Sequence, residues 1–126
     1  MAAGRLRTDA EEDRRRRTGE KGRTISPPNW ERNDDEKNMS RALEKVAKEV
    51  GTDHITAVAI AYLMQKTPYV FPIIGGRKVE HLNANIEALK ISLSKEQIEY
   101  LEDIIPFNPG FPTTMIVSLV FFSLQV

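Results

Sequence analysis

Hydrophobic residues are distributed very unevenly along this chain of 126 residues. Residues 1–40 contain eight apolar residues beside ten basic and nine acidic ones, whereas residues 41–126 contain 43 apolar residues. The first part cannot bury enough apolar surface to offset the entropy lost on ordering. We therefore predict a charged, flexible loop or arm over residues 1–32, an ordered domain over residues 33–112 and an apolar tail over residues 113–126.

A run of four arginines at residues 14–17 follows a group of acidic residues at 9–13. Two interpretations are open, a solvated arm and an arm that binds nucleic acid. The second lacks support because no aromatic residue lies between the arginines to stack on bases. The 18 basic and 18 acidic residues of the whole chain also cancel, so its net charge gives no general attraction to nucleic acid. We expect no nucleic-acid partner.

Apolar residues recur at intervals of three and four in four segments, which predicts four helices. These are residues 33–50, 54–66, 78–90 and a last helix that begins at Ser94. Asn33 with Glu36, and Ser94 with Gln97, have the spacing of capping boxes at the helix starts. The second helix is apolar on several faces, so we expect it to be buried on several faces.

The continuous apolar run YVFPII at residues 69–74 ends at Gly75 and Gly76. Such a run predicts one buried strand near residues 70–74, of the type found in parallel sheets. Pro72 is unusual in a central strand. A strand between helices indicates the α/β class. The final apolar run MIVSLVFFSLQV, at residues 115–126, is too short to cross a membrane.

Composition excludes several kinds of protein. The chain has no cysteine, which excludes disulfide scaffolds, thiolate zinc sites and cysteine nucleophiles. Two histidines are too few for a histidine-rich metal centre, so we predict no metal site. The polar, charged N-terminal residues do not resemble a signal peptide. These features favour a cytoplasmic protein with no membrane partner.

The segment PIIGGRKVEHLNANIEAL, residues 72–89, carries the clearest candidate chemistry. Ligands of parallel α/β folds lie at the carboxyl ends of strands, and a helix start offers free backbone N–H groups to an anion. The glycines allow close approach of backbone to a ligand, and two cations follow them. The candidate anion-binding residues are Gly75, Gly76, Arg77 and Lys78. His81 and Asn85 follow on one helix face. The alternative is an ordinary tight turn followed by a solvated arginine.

The chain resembles the C-terminal part of an aldo-keto reductase, and most closely the fungal aryl-alcohol dehydrogenase branch. The resemblance covers residues 44–112: TAVAIAYLMQK is similar to the penultimate barrel helix, PYVFPIIGG to the eighth strand, and RKVEHLNANIEAL to the last barrel helix. It implies an incomplete (β/α)8 barrel, mostly helical in this chain. It also implies an oxidoreductase that interconverts aldehydes and alcohols with NADP(H).

The resemblance further implies a set of cofactor-binding residues. The loop after the eighth strand would bind the 2′-phosphate of NADP(H) through Gly75, Gly76, Arg77 and Lys78. His81 would contact the phosphate or the adenine, and Asn85 the adenine. At residue 84 the chain has Ala where the family usually has Glu. Gly4 and Arg5 resemble a segment after the seventh strand that reaches the pyrophosphate, and residues 9–30 resemble a mobile loop over the cofactor.

No residue of the chain matches the family's catalytic Asp, Tyr, Lys and His, which lie in the N-terminal half of the barrel. The three tyrosines stand in unrelated contexts, and Tyr62 fits a core position. The resemblance therefore implies a chain that binds NADP(H) but is inactive alone, and whose partner is the remaining barrel half or another chain. The alternative is a non-catalytic, degenerate paralogue or association module.

Overall fold

The computed structural model describes residues 4–20, 30–108 and 110–112. These residues form five α-helices and one short 3-10 helix. The α-helices are α1 (Asp9–Thr18), α2 (Asp34–Val50), α3 (Ile55–Lys66), α4 (Val79–Glu87) and α5 (Lys95–Asp103), and the 3-10 helix is Ala88–Lys90. No helix among them is both long and apolar enough to cross a membrane. The predicted tail at residues 113–126 lies outside the described residues.

The predicted capping boxes are both present. The Asn33 side chain accepts from the backbone N–H of Glu36, whose carboxylate accepts from the N–H of Asn33 in return. Ser94 and Gln97 make the same pair of contacts at the start of α5. Each box satisfies backbone donors that a helix start leaves without partners, which is why the spacing alone located both helix starts.

The core lies between α2, α3 and α5. Leu43 and Val46 of α2 pack with Val58 and Ala61 of α3, and Leu101 of α5 closes the cluster. A second, smaller cluster joins the other side of α3 to the 3-10 helix; it consists of Ala57, Ile60 and Ala88. The expectation that the second predicted helix, α3, is buried on several faces is therefore confirmed.

The prediction of a strand near residues 70–74 is wrong for this structure. Residues 70–76 belong to no helix, and the described part of the chain contains no strand. A strand exists only when a neighbouring strand supplies hydrogen-bond partners, and the apolar pattern cannot supply that neighbour. The side chains predicted to be buried are exposed instead: Ile73 is 95% exposed and Phe71 84%.

Helix α4 begins where the sequence predicts but buries little. Its apolar stripe was predicted from spacing, yet all four members are exposed; they are Val79, Leu82, Ile86 and Leu89. The predicted helix over residues 78–90 also tightens into the 3-10 helix at Ala88. The periodic pattern thus identifies a face suited to burial, while the described chain leaves that face open.

Helix α1 forms in a segment predicted to be a flexible loop. Thr8 caps it by accepting from the N–H of Glu11, and Gly19, with φ of 71°, ends it. Acidic residues fill its first turn and arginines its last, the arrangement that the helix dipole favours. Charge order along the segment, rather than apolar content, therefore supports this helix.

A buried ionic cluster of Arg7, Glu12 and Arg32 holds α1 against the rest of the molecule. The exposed fractions of these residues are only 3%, 2% and 5%. The Glu12 carboxylate accepts from Nε of Arg7 at 3.1 Å and from Nε of Arg32. Arg32 also donates to Asp9 at 2.6 Å, and Arg7 donates to the Trp30 carbonyl at 2.7 Å. Paired charges therefore replace the apolar contacts that the sequence lacks here.

Candidate functional site

The predicted glycine loop is exposed and leads directly into α4. Gly75 and Gly76 end the irregular segment at residues 70–76, and Lys78 is the N-cap residue of α4 with φ of −132°. A Cβ atom added at Gly76 would lie 2.6 Å from the Cβ atom of His81. Since such a contact is too close, only glycine fits beside His81. The structure thus brings Gly76 and His81 together in one small surface region.

His81 and Asn85 lie one turn apart on α4, as predicted. His81 is exposed and Asn85 is half-buried. The backbone N–H of His81 donates to the Lys78 carbonyl at 3.2 Å, which ties the first turn of α4 to the loop. That His81 and Asn85 bind a ligand stays a prediction.

Arg77 does not lie free in solvent, because it forms an ion pair with Glu20. Nη2 of Arg77 lies 3.0 Å from Oε1 of Glu20, and Nη1 of Arg14 lies 3.6 Å from Oε2 of the same carboxylate. Burial alone would raise the pKa of Glu20, but the charges of Arg14, Arg15, Lys78 and Arg77 outweigh it and hold that pKa below its ordinary value. Cations from two distant parts of the chain therefore meet around one carboxylate.

Gly4 and Arg5, the other two predicted cofactor-binding residues, have different neighbours from those of Arg77. Gly4 has φ of 80°, and a Cβ atom added there would lie 4.0 Å from the guanidinium of Arg15. Arg5 donates to the Glu31 carbonyl at 2.5 Å, and its Nη1 lies 3.4 Å from the Glu36 carboxylate. Gly4 thus lies near the guanidinium of Arg15 in α1, while Arg5 is held near the start of α2 through Glu36.

Sequence reasoning missed two residues of this region, Glu20 and Arg14. The arginine run was interpreted as part of a solvated arm, because no aromatic residue lies between the arginines to support binding of nucleic acid. In the structure Glu11 and Glu12 do pair with arginines of α1, but Arg14 also reaches Glu20 beyond the helix. The available signal was the position of Glu20, two residues after the helix end and next to the arginine-rich last turn.

A separate groove of about 1020 Å³ lies between α2, α3 and α5. Its wall is mostly apolar and includes Tyr62, whose hydroxyl donates to Glu102 at 3.0 Å. Lys66 pairs with the same carboxylate at 2.5 Å. Burial, together with the hydrogen bond to Glu102, raises the pKa of Tyr62. Tyr62 is half-buried and packs against the core cluster, which agrees with its predicted core position.

Among the described residues, no group of three or more His, Asp or Glu side chains is arranged to hold a metal ion. The candidate site consists of the loop and helix start at residues 75–85, together with Arg14, which meets Arg77 at Glu20.

Comparison with known proteins identifies the family. The sequence model of the Aldo/keto reductase family matches residues 1–106. Because that match covers most of the chain, the chain belongs to the aldo-keto reductase family. The family implies a (β/α)8 barrel fold, while the described part of this chain is helical.

Several fungal proteins are similar to the chain. It is 64% identical over 113 residues to the aryl-alcohol dehydrogenase [NADP(+)] of Phanerodontia chrysosporium, a match to 89% of the chain and 29% of that protein. It is 52% identical to "Probable aryl-alcohol dehydrogenase AAD4" of Saccharomyces cerevisiae, over 92% of the chain and 35% of that protein. It is 60% identical over 80 residues to the aldo-keto reductase ausK of Emericella nidulans, over 64% of the chain and 20% of that protein.

The chain therefore spans about a third or less of the length of these curated relatives. No solved structure matches it significantly. The resemblance to the aldo-keto reductases and to the fungal aryl-alcohol dehydrogenases, stated from the sequence, is confirmed.

Proposed function

We propose that this chain is the NADP(H)-binding C-terminal part of an aldo-keto reductase of the aryl-alcohol dehydrogenase type. The observation that carries the proposal is the exposed Gly75–Gly76 loop, which enters α4 with Arg77 and Lys78 at its start. A helix start with nearby cations suits a phosphate group. A relative that is 64% identical is named for NADP(+), which supports this choice of ligand.

The residues divide the cofactor between them. Arg77 and Lys78 bind the 2′-phosphate, and a guanidinium suits that task because it can donate two parallel hydrogen bonds to phosphate oxygens. His81 lies over Gly76 and contacts the phosphate or the adenine. Asn85, one turn along α4, hydrogen-bonds the adenine, without the Glu that the family usually has in place of Ala84.

Gly4 and Arg5 are the residues proposed for the pyrophosphate. Gly4 has a positive φ and offers backbone without a side chain. Arg5 is engaged with the Glu31 carbonyl and the Glu36 carboxylate, so it would exchange the Glu36 contact for a cofactor oxygen. The contact of 3.4 Å to Glu36 is long and partly exposed, which keeps the cost of that exchange small.

We further propose that the chain binds the cofactor without turning it over. The sequence has no match to the family's catalytic Asp, Tyr, Lys and His. The hydroxyl of Tyr62 donates a hydrogen bond to Glu102 in a separate groove. Reduction of aryl aldehydes, or oxidation of the alcohols, would need those groups from elsewhere. The cytoplasmic location stays a prediction.

A second candidate function is that of a non-catalytic association module. The observation that favours it is the exposed apolar surface made by residues 69–74 and the open face of α4. Surfaces of this kind mark places where proteins associate. The partner would be the remaining part of a barrel or another chain.

Titration with NADPH and NADH tests the first proposal. We expect the chain to bind NADPH, and the variant Arg77→Met to bind it about tenfold more weakly, the scale of one hydrogen bond to a charged group. Lys95→Met removes a cation that is 84% exposed on α5 and serves as the control. NADH, which lacks the 2′-phosphate, should bind both variants alike.

Two results would contradict the proposal. Equal NADPH affinity of the wild type and Arg77→Met would remove Arg77 from the site. Consumption of NADPH by the purified chain when an aryl aldehyde is added, followed by cofactor absorbance, would refute the absence of turnover.

A further inference from the structure

The cations around Glu20 already bind an anion, and that anion belongs to the protein. We propose that the Glu20 carboxylate occupies the place of the cofactor phosphate, that phosphate displaces it, and that Arg14 is a second phosphate-binding cation. This inference rests on the proposed function, since it concerns how the same loop admits NADPH.

The geometry shows two arginines converging on one carboxylate. Oε1 of Glu20 lies 3.0 Å from Nη2 of Arg77, and Oε2 lies 3.6 Å from Nη1 of Arg14. Each oxygen thus has its own guanidinium. A phosphate has three terminal acceptor oxygens and can accept the same two contacts.

The position of Glu20 follows from the end of α1. Gly19 adopts a left-handed conformation with φ of 71° and ends the helix. The chain therefore leaves the helix axis, and Glu20 contacts Arg14 of the helix it has just left. The same turn brings Glu20 to Arg77, which is 57 residues further along the chain.

Because the side chains of the two ion pairs are exposed, breaking these pairs costs little free energy. The side chains of Arg77, Arg14 and Glu20 are 63%, 52% and 32% exposed. Ion pairs between such groups contribute little because water and salt screen them. A phosphate monoester carries nearly two negative charges at neutral pH against one for the carboxylate, so it has the stronger attraction for both arginines.

Removal of the Glu20 charge tests the exchange. We expect Glu20→Gln to tighten NADPH binding about two- to fivefold, the scale of one exposed ion pair, and to leave NADH binding unchanged. Glu80→Gln is the matched control: it removes one charge from the first turn of α4 without opening the Arg77–Glu20 pair. Arg14→Met should weaken NADPH binding by a similar factor.

The outcomes separate this inference from the proposed function. If the wild type binds NADPH and Glu20→Gln binds it no more tightly than Glu80→Gln does, the exchange is overturned and the proposed function stands. If the wild type does not bind NADPH, the proposed function fails, and inorganic phosphate becomes the probe. Tighter phosphate binding by Glu20→Gln alone then supports the exchange, and equal or absent binding overturns it.

Discussion

At the scale of single residues, the buried carboxylate of Glu12 joins α1 to the rest of the molecule. It accepts from Arg7 and Arg32, and all three residues are almost completely buried. Burial alone would raise the pKa of Glu12, but hydrogen bonds and charges, chiefly from Arg32, outweigh it and hold the pKa below the ordinary 4.5. The two arginines therefore favour the ionised carboxylate in the folded chain, where it joins α1 to Arg7 and Arg32.

Loss of the Glu12 charge should release α1. We expect Glu12→Gln to weaken the docking of α1 by about 3–5 kcal/mol, because it leaves two buried guanidinium groups without their shared partner. Hydrogen exchange of the α1 amides measures this directly. Asp13→Asn, in the same helix and 64% exposed, should change exchange little. Equal exchange rates in the two variants would contradict the assigned role of Glu12.

The same residue predicts a pH dependence. A carboxyl group whose pKa is lowered by folding stabilises the folded state above its ordinary pKa, and that contribution is lost as the pH falls through the folded pKa. Protection of α1 should therefore be constant above pH 4.5 and decline below it. The difference between the wild type and Glu12→Gln should shrink in the same range. A difference that persists at low pH would contradict this linkage.

The residues of the candidate site were accessible to sequence reasoning only in part. Gly75, Gly76 and Arg77 stand together in one motif, so their proximity needed no knowledge of the fold. Glu20 is 57 residues from Arg77, and their ion pair depends on how α1 docks. That docking rests on buried charge pairs, which a sequence of mixed charges does not distinguish from solvated ones.

At the scale of whole elements, local signals predicted more than distant ones. The starts of α2 and α5 follow from side chains three residues apart, and the structure has both boxes. The strand near residues 70–74 failed because pairing requires a second strand that the pattern does not contain. Helix α1 was not predicted because its segment has few apolar residues, whereas capping and charge order support that helix.

The cap of α2 offers a test at this scale. We expect Asn33→Ala to lower the free energy of unfolding by about 1 kcal/mol, since one backbone donor loses its partner at the start of the helix that carries most of the core. Asn38→Ala, at an exposed site inside the same helix, is the control and should be neutral or stabilising because Ala is the better helix former. Denaturation followed by far-UV circular dichroism measures both. Equal effects would show that the capping box contributes nothing particular.

At the scale of the whole molecule, the chain combines a well-buried helical core with an exposed apolar surface. Leu43, Val46 and Val58 form a closed core with almost no exposed surface. Residues 69–74 and the apolar stripe of α4, by contrast, expose large side chains on one continuous stretch of chain. Exposure of such a surface to water is unfavourable, and its burial against another apolar surface lowers the free energy.

We expect this surface to make the chain associate with itself when no partner is present. Sedimentation velocity across a range of protein concentrations should show reversible growth in mass. The double variant Phe71→Asp, Ile73→Asp should shift the onset of association to at least tenfold higher concentration, because two carboxylates would be desolvated at each contact. Both side chains are more than 80% exposed, so helix content should not change. Lys95→Asp, on the exposed face of α5, controls for added charge; association unchanged by the double variant would place the contact elsewhere.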